Sequence, residues 1–148
     1  SEVLVLPTLE ALEDNDSLTS LEVHCSHDYT DPCIFALYDV LENCKSLEKF
    51  HFYSSDDDDP SILYFPLMPN LDELRVSRAV LRPHSLEPMM STAKEIKIVF
   101  CNLDFRTGTR GVVPDCYEGW TEGLTNNCRI EKLVIRHLSA SGEFGEDG

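Results

Sequence analysis

The stretch SLEKFHF, residues 46–52, spaces three large apolar side chains, Leu47, Phe50 and Phe52, around the polar Glu48, Lys49 and His51. The two-residue step from Phe50 to Phe52 is strand spacing, with side chains alternating between faces. Read alone, the segment is one half-buried strand. The same three-position pattern returns at Leu18/Leu21/Val23, Leu71/Leu74/Val76, Ala93/Ile96/Ile98 and Ile130/Leu133/Ile135. Successive starts are 29, 24, 22 and 37 residues apart. The last interval requires an insertion, which the sequence places over residues 104–128 and which reads as a surface loop carrying Arg106-Thr-Gly108-Thr-Arg-Gly111.

A core of the form L-x-x-L-x-L recurring every 20–29 residues is the leucine-rich-repeat signature. The fourth copy extends furthest, through Cys101 and Leu103, and the third places Ala79 and Leu81 at the same offsets. Ser26, Ser55 and Leu138 stand at the Cys101 position of the first, second and last copies. The physical basis of the spacing is stacking, because one copy cannot bury its apolar side alone and neighbours must cover it.

Segments between the strands read as loops and short helices. Asp31 and Pro32 suit an N-cap and first helical position for CIFALYDVLENC, where Ile34, Leu37, Tyr38 and Leu41 follow helical spacing. Asp59-Pro60 precedes SILYF in the same way, with Pro66 as its stop; Pro83 and Pro88 bracket a poorer turn. Asp115 precedes CYEGWTEGL, whose Tyr117, Trp120 and Leu124 recur helically and place Trp120 in the core. The expected fold is α/β: a right-handed leucine-rich-repeat solenoid with about five short parallel strands on its concave face and helices and loops on its convex face. Residues 1–138 form this domain, beginning with the remnant of an earlier copy in VLVLPTLEAL, and 139–148 read as a flexible tail. The chain starts in mid-pattern without methionine and is expected to be part of something longer.

The 148 residues carry a formal charge of −15, which argues against nucleic-acid binding through bulk charge and against an anionic membrane surface. No apolar run reaches the roughly 20 residues that cross a bilayer. Six irregularly spaced cysteines in a chain with ordinary apolar content point to reduced thiols, and so to a cytoplasmic or nuclear protein.

Chemistry-bearing motifs are weak. Asp56–Asp59 do not alternate as calcium ligands do, and they read as a solvated loop. His24, Cys25, His27 and Cys33 offer zinc ligands, but adjacent strand residues project to opposite faces and no second pair has finger-like spacing. Cys101 reads as a buried structural thiol, and Cys44 and Cys128 as small apolar groups before repeat starts. With neither G-x-S-x-G nor a Walker motif, the expectation is a chain with no catalytic residues, metal or cofactor.

The outward strand positions are more informative. Of the 15, five are basic (Lys49, Arg75, Lys97, Lys132, Arg136) and three acidic (Glu22, Glu73, Glu95), a formal +2 on an acidic protein. His51, Arg75 and Lys97 are expected to form a central column, with Tyr53 and His24 adding contact area. The candidate partner-binding set is Lys49, His51, Tyr53, Arg75, Lys97, Lys132 and Arg136, facing an acidic or phosphorylated protein segment. The opposing expectation is that Glu73 neutralises the face by pairing with Lys49 or Lys97.

The stretches LTSLEV, CKSLEKFHF, MPNLDELRV and CRIEKLVI, over roughly residues 17–138, resemble the irregular leucine-rich repeats of F-box-type proteins. The resemblance implies substrate recognition for a ubiquitin-ligase adaptor, with adaptor binding through an F-box outside this chain. Similar repeats occur in the ligand-sensing regions of immune-type receptors and in general scaffolds.

Overall fold

The computed structural model describes residues 2–25, 29–55, 61–104 and 118–141. Its elements run α1 (Glu2–Leu12), β1 (Ser20–Cys25), α2 (Asp31–Asn43), β2 (Lys49–Ser54), β3 (Ser61–Leu63), β4 (Glu73–Ser77), β5 (Ala79–Leu81), α3 (Pro83–Ser91), β6 (Glu95–Val99), β7 (Asn102–Asp104), α4 (Glu118–Asn126), β8 (Lys132–Arg136) and β9 (Ser139–Ser141). The architecture is α/β, with every strand pairing parallel. One sheet has the order β1-β2-β4-β6-β8 and the other β3-β5-β7-β9. From β2 onward the chain alternates between the sheets, and in each sheet the spatial order is the chain order.

Register is set by the apolar positions. Leu21, Phe50, Leu74, Ile96 and Leu133 are successive partners across the larger sheet, as are Val23, Phe52, Val76, Ile98 and Ile135. Phe50, Phe52, Leu74, Val76, Ile96 and Ile98 are buried, whereas their outward neighbours are exposed or half-buried. A one-residue slip would turn these side chains into solvent, so burial locks the alignment. A repeated backbone device enters each strand. The Thr19, Glu48, Asp72 and Lys94 carbonyls each accept two amide hydrogen bonds, from the residue pairs 48/49, 72/73, 94/95 and 131/132, at 2.7–3.1 Å.

The ends are unequal. At the first edge, α1 contributes buried Leu9 and half-buried Val5, Leu6 and Leu12 to the core. At the other edge Leu133 remains 41% and Ile135 37% exposed. No described helix is long and apolar enough to cross a membrane.

Several local expectations are corrected. Ser61–Leu63 is strand, not the start of a helix ending at Pro66; Leu63 lies opposite Leu81 and is fully buried, so pairing with β5 wins over the Asp-Pro start signal. Ser61, not Ser55, lies opposite Ala79 and so takes the small-residue place of the second copy. The Asp56–Asp59 run falls between them and lies outside the described residues, as do Asp115, Tyr117 and the 106–111 stretch.

The cap of α2 is Thr30, one residue before Asp31; its carbonyl accepts from the Cys33 and Ile34 amides at 2.9 and 3.2 Å. Asp31 thus sits in the first turn, where a carboxylate suits the helix dipole. Pro88 lies inside α3 and does not end it. Burial of Leu86, Met89 and Met90 holds the helix together despite the missing amide. Ser139–Ser141, read from composition as the start of the tail, pairs with β7 as β9.

Candidate partner-binding face

All seven candidate residues stand on the solvent-facing side of the five-stranded sheet. The outward columns are Ser20/Lys49/Glu73/Glu95/Lys132, Glu22/His51/Arg75/Lys97/Val134 and His24/Tyr53/Ser77/Val99/Arg136. The central run His51–Arg75–Lys97 is therefore continuous, as the spacing predicts.

Two shallow depressions cross this surface. One, of ≈ 280 Å³, is lined by Glu22, His24, His51, Tyr53, Arg75, Lys97 and Val99, with buried Val76 beneath. The second, of ≈ 170 Å³, gathers Arg75, Lys97, Lys132 and Arg136 around Val134, with Glu73 and Glu95 at its side. Arg75 and Lys97 belong to both, and Lys49 lines neither.

The electrostatics differ from one end to the other. Glu73, largely buried at its side chain, accepts a hydrogen bond from His51 Nε2 at 2.5 Å and meets Arg75 Nε at 3.3 Å. Burial alone would raise its pKa; the His51 hydrogen bond and the charges of Arg75, His51 and Lys49 outweigh that and hold it below the usual carboxylate range. The neutralising pair is thus Glu73 with His51 and Arg75, not with Lys49 or Lys97. A partner in the next strand and one two residues along the same strand both reach further into the carboxylate than the lysines do. Among the described residues Lys49, Lys97, Lys132 and Arg136 make no ion pair. Glu22 is held below the carboxylate range by its hydrogen bond with His24, 2.5 Å away. The His24 ring meets Tyr53 edge to face, with centroids 5.2 Å apart, and Tyr53 is 50% exposed.

A feature missed by the sequence reading borders this surface. Arg78, Phe100 and His137 directly follow β4, β6 and β8, each with positive φ of 54–59°. The Arg78 guanidinium lies 4.8 Å from the Phe100 ring centre, and Phe100 stacks on His137 at 4.5 Å. Their equal offset, two residues past Val76, Ile98 and Ile135, was legible; the left-handed backbone was not, since none of the three is glycine.

The remaining chemistry is structural. Cys101 is fully buried and its thiol is pushed up to about 11 by desolvation, with contacts to the Val99 and Val76 carbonyls at 3.5 and 3.7 Å. Cys44 is buried as expected, but Cys128 is exposed, not packed as an apolar group. His24 points outward while Cys25 and Cys33 are buried, and His27 lies outside the described residues. Among the described residues no three His, Cys, Asp or Glu side chains group as a metal site. Trp120 is buried in the core.

Comparison of the sequence with protein-family models and with curated proteins finds no match.

Proposed function

We propose that this chain is a leucine-rich-repeat solenoid acting as a protein-binding module, with the five-stranded sheet as its concave recognition face for an acidic or phosphorylated protein segment. One observation carries the reading: five strands in a single register bury alternate side chains on the three interior strands and hold Arg75, Lys97, Lys132 and Arg136 outward in one depression of an acidic protein. Strand–crossover–parallel strand units are right-handed in about 98% of cases, which favours a right-handed solenoid. The repeated bifurcated carbonyls and the uncovered β8 edge fit a stack of copies in which each contacts only its neighbours.

The module serves substrate recognition for an F-box-type ubiquitin-ligase adaptor, on the strength of the sequence resemblance. Adaptor contact belongs to a segment outside this chain, and this chain contributes no catalytic step, cofactor, nucleic-acid contact or membrane contact. Buried unbridged thiols at Cys25, Cys33, Cys44 and Cys101 support a reducing compartment, cytoplasm or nucleus.

The test is a peptide array of phosphorylated, acidic and neutral sequences probed with the wild-type protein and with Lys97→Glu/Lys132→Glu. Preferential retention of anionic peptides, lost in the variant while its melting temperature is kept, is the expected result. Indifference of both proteins to peptide charge would refute the reading.

A further inference from the structure

The two depressions are chemically unlike, and their separation is set by the sheet. Arg75 and His51 already hold Glu73, so the cations free to meet a ligand anion are concentrated at Lys97, Lys132 and Arg136. Around that depression four cations face Glu73 and Glu95, leaving two formal positive charges in excess. A phosphoryl group carries about −1.5 to −2 at pH 7 and matches that excess; a side-chain carboxylate matches half of it. At the other end, the His24–Tyr53 pair forms a surface for a ring or aliphatic side chain, and the ionised Glu22 repels a second anion.

The His24–Tyr53 contact lies between the first and second strands, and Lys97, Lys132 and Arg136 lie on the fourth and fifth. Three strand spacings of about 4.8 Å separate the two centres, roughly 14 Å. An extended chain covers about 3.3–3.6 Å per residue, so about four residues span them.

We propose that the face takes an extended phosphorylated segment crossing the strands, with its phosphoryl group over Lys97, Lys132 and Arg136 and an aromatic or large apolar side chain about four residues away against His24 and Tyr53. This assignment rests on the reading of the sheet as a recognition face for anionic protein segments, and it adds the chemistry and the spacing.

Fluorescence anisotropy with Gly/Ser-based peptides tests it on the full-length protein. Phosphoserine and phenylalanine are placed two, four or eight residues apart, with aspartate-for-phosphoserine and alanine-for-phenylalanine controls. The four-residue peptide is expected to bind about tenfold more tightly than the other spacings, the scale of one good interaction. Lys132→Glu should abolish the advantage of phosphoserine over aspartate, and Tyr53→Ala the advantage of phenylalanine over alanine. Both side chains are substantially exposed, so neither change threatens the core. Equal affinity at all spacings would overturn the two-centre arrangement, and equal affinity for aspartate would overturn the phosphoryl assignment, each leaving the anionic-face reading intact. Failure of every anionic peptide to exceed a neutral one would overturn both.

Discussion

Replacing Leu74 and Leu133 by alanine, one at a time, measures how the apolar seam is covered along its length. The two residues occupy the same place in the pattern, and both are partnered with Ile96. Leu74 lies between Phe50 and Ile96 and is 0% exposed; Leu133 is on the outermost strand of its sheet and 41% exposed. Each substitution deletes three carbons. At about 0.8 kcal/mol per buried carbon, Leu74→Ala forfeits about 2.4 kcal/mol of transfer free energy. The enclosed void adds to that and brings the loss to about 3–5 kcal/mol. Leu133 is about three-fifths covered, so its transfer loss is about 1.4 kcal/mol, and a site open to water leaves no sealed cavity. The expected gap is about 2–3 kcal/mol. In urea, with slopes of about 1–3 kcal/mol per molar, it should separate the two midpoints by about 0.7–3 M, at unchanged slope. Far-UV circular dichroism reads the transition. Equal midpoints, or a larger loss at Leu133, would refute the argument that interior strands are covered on both sides and the β8 edge on one.

Two further outcomes follow from local geometry. A Cβ at Gly123 would lie 2.7 Å from the Glu87 carbonyl oxygen and 2.7 Å from Met90 Cβ, so Gly123→Ala should force α4 away from α3 and lower stability by about 1–3 kcal/mol. At Gly119 the nearest atom would be 3.4 Å away, and Gly119→Ala should be within about 1 kcal/mol of wild type, since the gain in helix propensity offsets the tight contact. Thermal melts of the two variants decide the matter; equal loss at both positions would contradict the close approach assigned to Gly123. Site-resolved alkylation of the native protein at pH 8 should modify exposed Cys128 rapidly and Cys101 only after unfolding, because burial both shields that thiol and disfavours its thiolate. Rapid native-state labelling of Cys101 would contradict its placement.

Much of the arrangement was legible because short strands in a repeat carry their register in the chain. The spacing of Leu47, Phe50 and Phe52, repeated four more times, named the partners across the larger sheet and hence the columns on its outer face. Cys101 was legible as core for the same reason, standing at a repeated offset from Ile98, whereas Trp120 was legible from its helical spacing to Leu124. The second sheet was not legible. Its strands are three residues long, and Ser61–Leu63 and Ser139–Ser141 look like a helix start and a tail until β5 and β7 supply partners. The same holds for Pro88, where buried Leu86 before it and buried Met89 and Met90 after it keep a helix that local propensity would end.

By itself, the amino-acid sequence determined which side chains alternate inward and outward and in what order the strands lie, since period and hydrophobicity are local properties. Only the tertiary structure decided which charges on the outer face cancel. Glu73 could have met Lys49, Lys97, His51 or Arg75, all within one strand of it; side-chain reach across the sheet gave it to His51 and Arg75. That choice left Lys49 and Lys97 without an ion pair, and Lys132 and Arg136, two strands away, make none either among the described residues. With Arg75 and His51 engaged, the unpaired Lys97, Lys132 and Arg136 grouped in one depression put the positive centre of the face toward β8, a result of distances between strands that no spacing along the chain encodes.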